Sequence, residues 1–365
     1  MLNTFIFPNQ SKNNHICLLK LFLVLTPNEV MEDLPGTKQQ LESVKHLIAD
    51  LRDRFEEYLI KQAFKGYPAI LEGPTQHIMG LKGKRIRPIL LLSTCEMFGG
   101  EIEDAMGPAS AIEIFHNFSL VHDDIIDNAD TRRGAEAVHK KYGLHNAILV
   151  GDGMLLHSFI QLSKSRTDNL KDLLRVFNKA ASEVIEGEQY DVNFETQDKV
   201  SEEEYMLMIK NKTSVLLAAS LQLGAIIGNA SVEDQQHIYD FGLNLGLAFQ
   251  IKDDYLDSYG DTSFGKRIGG DILQNKKTFL LITAMNNASR SDLEEIKRLS
   301  SEKDEAKKIS DMLAIFDRLN VKGKTFSKME QLYSTSMKSL NKLSIEEEKK
   351  SVLKTLAEMI YNRSR

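Results

Sequence analysis

The sequence contains no tryptophan, and it has only two cysteines and seven prolines in 365 residues. Two cysteines, Cys17 and Cys95, exclude a disulfide-rich scaffold and a four-cysteine zinc site, and they fit a reducing compartment. An excess of basic residues is also missing, because the formal net charge at pH 7 is −6. General nucleic-acid-binding proteins are usually basic, so we expect no nucleic-acid partner.

A long apolar run is absent as well. The apolar stretch at residues 16–25 is interrupted by Lys20, and it is shorter than the roughly 20 residues that a membrane-spanning helix needs. We therefore expect no stable membrane anchor and a cytoplasmic location.

Helix-breaking residues are scarce over most of the chain. No proline follows Pro108, and the alternating apolar pattern typical of strands is rare. Apolar residues instead recur at spacings of three and four, for example within residues 41–51 and 206–217. We predict an all-α protein with a single core.

The first 30 residues differ from the rest of the chain. Asn, Ser and Lys surround the short apolar run, and Met31 then precedes a periodic helical pattern that starts near Thr37. Three interpretations of this N-terminal extension, residues 1–30, remain open: an upstream start codon assigned in error, a weak targeting peptide, or an ordered extra helix. Its composition is also compatible with disorder. We expect residues 31–365 to form one domain.

A segment rich in carboxylates spans residues 115–127, with the sequence FHNFSLVHDDIID. On a helix, Asp123 and Asp127 lie on one face, and Ser119 and His116 extend the same stripe toward the N-terminus. Like charges at this spacing destabilise a bare helix, so the pattern indicates a compensating cation. Carboxylate oxygens suit Mg²⁺, which also bridges to substrate phosphates. The alternative is a solvated acidic patch at a helix end.

The same D-D-x-x-D spacing recurs at Asp253, Asp254 and Asp257. Two such motifs, each preceded by apolar helical sequence, can face each other across one cavity and hold several divalent ions against a diphosphate. A hydrolytic two-metal site is disfavoured, because neither acidic cluster contains a histidine ligand.

Basic residues accompany both motifs. Arginine suits bidentate contacts to phosphate, although each basic residue taken alone is equally compatible with a salt bridge or a solvated surface. The candidates are Lys84 and Arg87, three apart in the sequence GKRIRP, Arg132 and Arg133 after the first motif, Lys212 beside Thr213, and Lys266 and Lys276 around a glycine-rich loop.

Taken in order, these motifs resemble the trans-type polyprenyl diphosphate synthases, which make farnesyl and geranylgeranyl diphosphates. The order is Gly-Lys-x-x-Arg, a helical His, D-D-x-x-D with Arg-Arg-Gly, Gly-Asp, Gly-Glu-x-x-Asp, Lys-Thr, F-Q-x-x-D-D-x-x-D and the closing lysines, from about residue 83 to residue 276. The resemblance implies an isoprenoid synthase-type helical bundle around a deep central cavity, acting as a homodimer. It also implies a Mg²⁺-dependent prenyltransferase that condenses isopentenyl diphosphate with dimethylallyl, geranyl or farnesyl diphosphate.

The resemblance also implies roles for individual residues. Asp123 and Asp127 would ligate two Mg²⁺ ions, Asp253 would help to ligate a third, and Asp124 and Asp257 would support these clusters. Isopentenyl diphosphate would be bound by Lys84, Arg87, His116 and Arg133. The allylic diphosphate would be contacted by Arg132, Lys212, Lys266 and Lys276, with Arg267 a weaker candidate. Thr213 and Gln250 would line the site of the developing carbocation.

Product length is expected to depend on Phe118 and Ser119, which precede the first motif by five and four residues. One large and one small residue at these positions resemble geranylgeranyl-type synthases first and farnesyl-type synthases second, while longer products remain open. The sequence departs from the family pattern at Gly80 and Gly83, which are separated, and at Glu188, where many short-chain members have Gln.

Other functions remain possible on the sequence alone. A class I terpene cyclase shares the first motif, but usually replaces the second motif and lacks the Lys84, Arg87 and His116 site. A non-catalytic subunit of a heteromeric synthase tends to lose one aspartate cluster, and both are present here. A simple divalent-ion or phosphate-binding protein does not need so many separately placed basic residues.

Overall fold

A computed structural model describes residues 35–165, 168–260 and 268–361. The interpretations of residues 1–30 fall outside these ranges, and so do Cys17, Lys266 and Arg267.

Helices make up nearly all of the described chain, as the sequence predicts. They are α1 (Pro35–Tyr58), α2 (Ala69–Met79), α3 (Ile86–Met97), α4 (Ile102–Ile126), α5 (Val138–Tyr142), α6 (Leu144–Leu162), α7 (Leu170–Thr196), α8 (Glu202–Ile209), α9 (Val215–Ile227), α10 (Val232–Tyr259), α11 (Gly270–Leu273), α12 (Phe279–Asn287), α13 (Arg290–Ser300), α14 (Glu305–Arg318), α15 (Val321–Asn341) and α16 (Ser351–Tyr361). π-helical turns occupy Leu59–Ala63 and Lys210–Ser214, and a 3₁₀ turn occupies Glu347–Lys350. The strand pair in the described residues is a small antiparallel one, Thr131–Arg132 with Ala135–Glu136.

Capping residues define where several helices begin. At α8, the Ser201 side chain accepts the Glu204 backbone N–H while the Glu204 side chain accepts the Ser201 N–H, which is a capping box. Ser231 and Thr278 each accept a backbone N–H at the start of α10 and α12. These caps satisfy backbone donors that a helix leaves without internal partners.

Two long helices determine where the acidic motifs lie. The main hydrophobic core surrounds α4 and is built with α1, α3, α6, α7 and α9. Helix α9 is buried along nearly its whole length and packs against α3, α4, α7 and α10. The first motif lies at the C-terminal end of α4, and the second lies in the last turns of α10.

Within the described residues, every helix falls short of the length and apolar character needed to cross a bilayer.

Candidate active site

Both aspartate motifs occupy an electrostatically unfavourable place. The C-terminal end of a helix carries partial negative charge and favours cations. Neither α4 nor α10 has a basic residue in its last turn, and both end in carboxylates instead. Other elements must therefore supply the positive charge.

Arg132 supplies part of that charge to the first motif. It lies on the short strand after α4, and its Nε is 2.8 Å from Asp124 Oδ1 while its Nη2 is 2.8 Å from Asp123 Oδ2. Asp124 is fully buried, and its Oδ2 has no hydrogen-bond partner in the protein. The middle aspartate of the first motif thus faces Arg132 and the interior.

Lys212 supplies the rest from a distant part of the chain. Its Nζ is 2.7 Å from Asp191 Oδ2, 2.8 Å from Glu188 Oε2 and 3.1 Å from Asp123 Oδ1. Burial lowers the pKa of Lys212, but the three carboxylates outweigh burial and raise this pKa above its usual range. Lys212 is therefore a protonated cation that joins α7 to the first motif.

A local irregularity places Lys212 in this position. The residue lies on the π-helical turn Lys210–Ser214 between α8 and α9, and such turns often occur at functional sites. Helix α7 passes so close that a Cβ on Gly187 would lie 2.2 Å from the Lys212 backbone nitrogen. Asn211 Nδ2 also donates to Glu186 Oε2 at 3.1 Å. A glycine at this position of α7 is thus required by close packing.

Asp127 is the exposed member of the first motif. Burial and the neighbouring Asp123 raise the pKa of Asp127, while Lys276 and Lys212 lower it. Lys276 lies in the turn before α12 and is exposed. Its charge acts on Asp127, so a residue from the end of the motif series contributes to the electrostatics of the first motif.

The second motif is held differently. Asp254 is buried, and its Oδ2 accepts hydrogen bonds from the Tyr205 hydroxyl and from the Phe279 backbone N–H, the latter at 3.0 Å. Gln250 Nε2 donates to Asp254 Oδ1 at 3.3 Å, and Gln250 Oε1 accepts from Thr213 Oγ1 at 3.1 Å. Burial raises the pKa of Asp254 to about 7 despite these donors. Asp254 is thus a junction between α8, α10 and α12.

The other two aspartates of the second motif are partly exposed. Asp257 Oδ2 accepts the Asp271 backbone N–H at 2.9 Å, and the Asp257 carbonyl accepts the Gly269 N–H at 2.7 Å. These bonds tie residues 269–271 to α10. Asp253 lies on the same helix one turn before Asp257.

A second group of basic residues lies beside the start of α3. Arg87 Nη1 is 3.3 Å from His116 Nε2, and Arg87 Nε is buried without a partner. Burial and the neighbouring Arg87 lower the pKa of His116 well below its usual value, so the imidazole is neutral at neutral pH. The Arg133 guanidinium approaches Gly83, since a Cβ there would lie 2.9 Å from Arg133 Nη1. Lys84 is the next residue along the chain and is exposed.

Phe118 and Ser119 lie on α4 before the first motif. Phe118 is buried, with ring centroids 5.4 Å from Phe115 and 4.9 Å from His122. Ser119 Oγ donates to the His116 carbonyl oxygen at 2.8 Å. The large residue therefore belongs to the core under the motif, and the small residue is bound to its own helix.

Several residues of this region were not singled out as site residues from the sequence. Glu188 and Asp191 are three apart on α7, and the Gly-Glu-x-x-Asp motif that they form was the available signal. Tyr205 gave no such signal, because its bond to Asp254 joins two distant helices. Asp254 belonged to a recognised motif, but its burial could not be seen in the sequence.

The arrangement of the carboxylates suits Mg²⁺, which accepts part of its ligands from water and substrate, and it does not suit a metal that needs all its ligands from the protein. In the parts of the chain that the structure describes, no three His, Cys, Asp or Glu side chains converge as a ready metal site. Mg²⁺ is usually held by one or two carboxylates together with water and substrate phosphates. Partly exposed carboxylates on two separate helices provide that kind of incomplete donor set.

Comparison with known proteins identifies the family. A family model described as polyprenyl synthetase matches residues 68–316. The chain belongs to the polyprenyl synthetase family. The predicted family is confirmed, and as a member of this family the protein is a prenyltransferase.

Individual members of the polyprenyl synthetase family support the same conclusion. A short chain isoprenyl diphosphate synthase from Methanothermobacter thermautotrophicus is 40% identical over 253 residues, covering 69% of this chain and 78% of that protein. A geranylgeranyl diphosphate synthase from Sulfolobus acidocaldarius is 33% identical over 315 residues, covering 84% and 94%. The crystal structure of geranylgeranyl pyrophosphate synthetase from Pyrococcus horikoshii is 31% identical with a TM-score of 0.81, covering 88% of this chain and 99% of that one. The predicted fold class is thereby confirmed.

Proposed function

We propose that this protein condenses isopentenyl diphosphate with an allylic diphosphate to give a linear all-trans product, chiefly geranylgeranyl diphosphate. The observation that carries the proposal is the contact of Lys212 with Asp123, Asp191 and Glu188. This contact brings one ammonium group and three carboxylates from three parts of the chain together at one end of α4. When a diphosphate and its counter-ions bind there, they can replace these internal ion pairs.

The allylic diphosphate is bound at the first motif. Arg132 and Lys212 are both paired with Asp123 in the structure, and Lys276 acts on Asp127. When a diphosphate arrives, these cations contact its oxygens and absorb the charge that develops as the carbon–oxygen bond breaks. Asp123, Asp127 and Asp253 would hold Mg²⁺ against the same diphosphate. Bound Mg²⁺ neutralises charge on the leaving group.

Isopentenyl diphosphate is bound at the second group of basic residues. Arg87 has a buried Nε without a protein partner, and Arg133 lies close to the loop that carries Lys84. A neutral His116 can serve as a hydrogen-bond partner without adding a repulsive charge among the arginines. The four residues together form a site for a second diphosphate, which a cyclase does not require.

Thr213 and Gln250 face the reacting carbons. The Thr213 hydroxyl donates its proton to Gln250 Oε1, so the lone pairs of its oxygen remain available to stabilise an allylic cation. Gln250 is oriented in turn by Asp254. The double bond of isopentenyl diphosphate then attacks the cation, and the proton that is lost goes to the released diphosphate.

The product length follows from the residues beneath the first motif. Phe118 is a buried aromatic side chain one to two turns below Asp123, and it limits the depth available to a prenyl tail. The relatives at 33% to 40% identity include proteins named geranylgeranyl, short chain isoprenyl and geranylfarnesyl diphosphate synthases. Geranylgeranyl diphosphate agrees with the position of Phe118, and more of these relatives are named for it than for any other product.

We also propose that the active form is a homodimer. An apolar stripe on α6 is exposed at Leu149, Leu156 and Ile160, which share one helical face. A second copy of the chain carries the same apolar stripe, so the two stripes can cover each other in a symmetric dimer. Residues 31–365 would act as one domain in each copy, and the cytoplasmic location stays a prediction.

The experiment that tests the proposal is a product assay. The purified protein is incubated with Mg²⁺, isopentenyl diphosphate and, separately, dimethylallyl, geranyl or farnesyl diphosphate, and the dephosphorylated products are sized by mass spectrometry. We expect linear alcohols ending at geranylgeraniol, and no product when EDTA removes the metal. Cyclic hydrocarbons formed without isopentenyl diphosphate would indicate a cyclase, and absence of turnover by folded protein would indicate a subunit or binding protein.

A further inference from the structure

Arg85 lies between Lys84 and Arg87, and its side chain is buried beside the proposed diphosphate site. It is 5% exposed, and each of its three guanidinium nitrogens has an acceptor. Nε is 2.7 Å from Glu56 Oε1, Nη1 is 2.6 Å from Glu113 Oε1, and Nη2 is 2.7 Å from the Met79 carbonyl oxygen. Three of the five N–H groups of this guanidinium are thus directed to acceptors inside the protein, whereas Arg87 has a buried Nε without a partner.

The backbone of Arg85 is held in an unfavourable conformation. Its φ of 49° and ψ of 34° place it in the left-handed region, and α3 begins at the next residue. A non-glycine residue in this region costs about 1–2 kcal/mol. The three contacts of its side chain over-determine this conformation, so they set the direction in which the loop 80–84 enters α3.

Glu113 connects Arg85 to the rest of the proposed site. It is 3% exposed on α4, one turn before His116, and it accepts a hydrogen bond from Asn117 Nδ2 at 3.1 Å. Its charge also acts on Arg87 and Arg133, whose pKa it raises against the effect of burial. The pair of Arg85 and Glu113 therefore ties α3 to the helix that carries His116.

We propose that Arg85, clamped between Glu56 and Glu113, is a positioning residue for isopentenyl diphosphate. The inference rests on the proposed function, because it assigns that substrate to the site of Lys84, Arg87, His116 and Arg133. Arg85 acts through the backbone it holds, and it makes no contact with the diphosphate itself. Its planar fork meets three acceptors at once, which a lysine ammonium on a flexible stem cannot reproduce.

The test compares Arg85→Lys with a matched control, Arg54→Lys. Arg54 Nη2 is 2.7 Å from Glu103 Oε1, so it also joins α1 to α4, but away from the site. For Arg85→Lys we expect the KM for isopentenyl diphosphate to rise about tenfold, while kcat and the KM for the allylic substrate change less than about twofold. Arg54→Lys should leave all three constants unchanged. Equal losses for both substrates, or an unchanged KM for isopentenyl diphosphate, would overturn the proposal.

A binding measurement separates this inference from the proposed function. Isopentenyl diphosphate alone cannot turn over, so its dissociation constant is measured by calorimetry on both variants and the unsubstituted protein. A rise of about tenfold confined to Arg85→Lys supports the inference even if no product is formed. Equal affinity in an active enzyme overturns the inference and leaves the proposed function intact.

Circular dichroism checks the folding of Arg85→Lys, and a milder variant replaces it if it does not fold. If circular dichroism shows that Arg85→Lys is unfolded, Glu56→Gln removes the charge of one partner that is 37% exposed and leaves Glu113 in place. We then expect the KM for isopentenyl diphosphate to rise about two- to fivefold without loss of the allylic KM. No change in either constant in that variant would overturn the proposal.

Discussion

The two D-D-x-x-D motifs have the same sequence pattern, but the structure uses them in opposite ways. In the first motif, Asp123 and Asp124 are paired with the long cationic side chains of Arg132 and Lys212. In the second, Asp254 and Asp257 accept bonds from a tyrosine hydroxyl, a glutamine amide and backbone N–H groups. Long cationic side chains can leave a carboxylate for a phosphate, whereas neutral donors fixed in the fold cannot.

This difference in bonding partners indicates that the two motifs have different roles. We expect the first motif to exchange its partners when substrate binds, and we expect Asp254 and Asp257 of the second motif mainly to hold the elements around the site in place. Changes at the first motif should therefore cost activity more than stability, and changes at the interior contacts of the second motif should cost stability more than activity.

The largest expected effect is that of Asp123→Ala. The variant loses the carboxylate that contacts both Arg132 and Lys212, so we expect turnover to fall by at least about 100-fold with little loss of stability. Product formation and the thermal midpoint are measured together. Asp130→Ala is the control, because Asp130 is exposed and pairs with Lys140 away from the motif. Activity above one tenth of the original in Asp123→Ala would contradict the assignment of the first motif.

A somewhat smaller loss is expected for Gly187→Ala. The added Cβ would lie 2.2 Å from the Lys212 backbone nitrogen, so the π-helical turn must shift and carry the ammonium with it. A displacement near 1 Å at a reacting group costs up to about 100-fold in rate. Steady-state kinetics measure the loss. Gly73→Ala serves as the control, since a Cβ at Gly73 in α2 meets nothing within 4 Å. Equal activity of both variants would show that the position of Lys212 is not critical.

Tyr205→Phe should show the opposite balance. It removes one donor from the buried Asp254 carboxylate, which costs about 1–3 kcal/mol in the free energy of unfolding. We expect turnover to fall less than about tenfold, because the Gln250 and Phe279 donors remain. Denaturant unfolding and kinetics are compared with Tyr190→Phe, whose hydroxyl lies at an exposed position 3.4 Å from Glu186. A loss of activity without a loss of stability would contradict the structural role assigned to Asp254 in the second motif.

The smallest expected effect on rate, with a clear effect on the product, is that of Phe118→Ala. Removing a buried ring beneath the first motif opens space for the prenyl tail, so the main product should lengthen by about one isoprene unit. Mass spectrometry of the dephosphorylated products measures the length. Phe316→Ala is the control, because Phe316 on α14 is also buried but belongs to a separate hydrophobic cluster, so its products should keep the original length. An unchanged product distribution in Phe118→Ala would refute the role of Phe118 as the floor.

Local features of this molecule could be predicted from the sequence, whereas contacts between distant parts of the chain could not. The helical class, the two acidic motifs and the order of the basic motifs could be predicted from the sequence, because helical periodicity and motif spacing are local properties. The assignment of Lys276 to the allylic diphosphate came only from the family resemblance. The interior roles of Asp124 and Asp254 could not be predicted, because the sequence pattern treats them like their neighbours.

The sequence by itself determined that this protein is helical and belongs with the polyprenyl synthetases, since residue types and their spacing specify both the helix faces and the motif series. Only the tertiary structure decided which cation meets which carboxylate. Lys212 reaches Asp123 because a π-helical turn and Gly187 let two helices approach closely, and Arg85 turns inward because Glu56 and Glu113 come from two other helices. These contacts depend on how helices cross, which local periodicity does not encode.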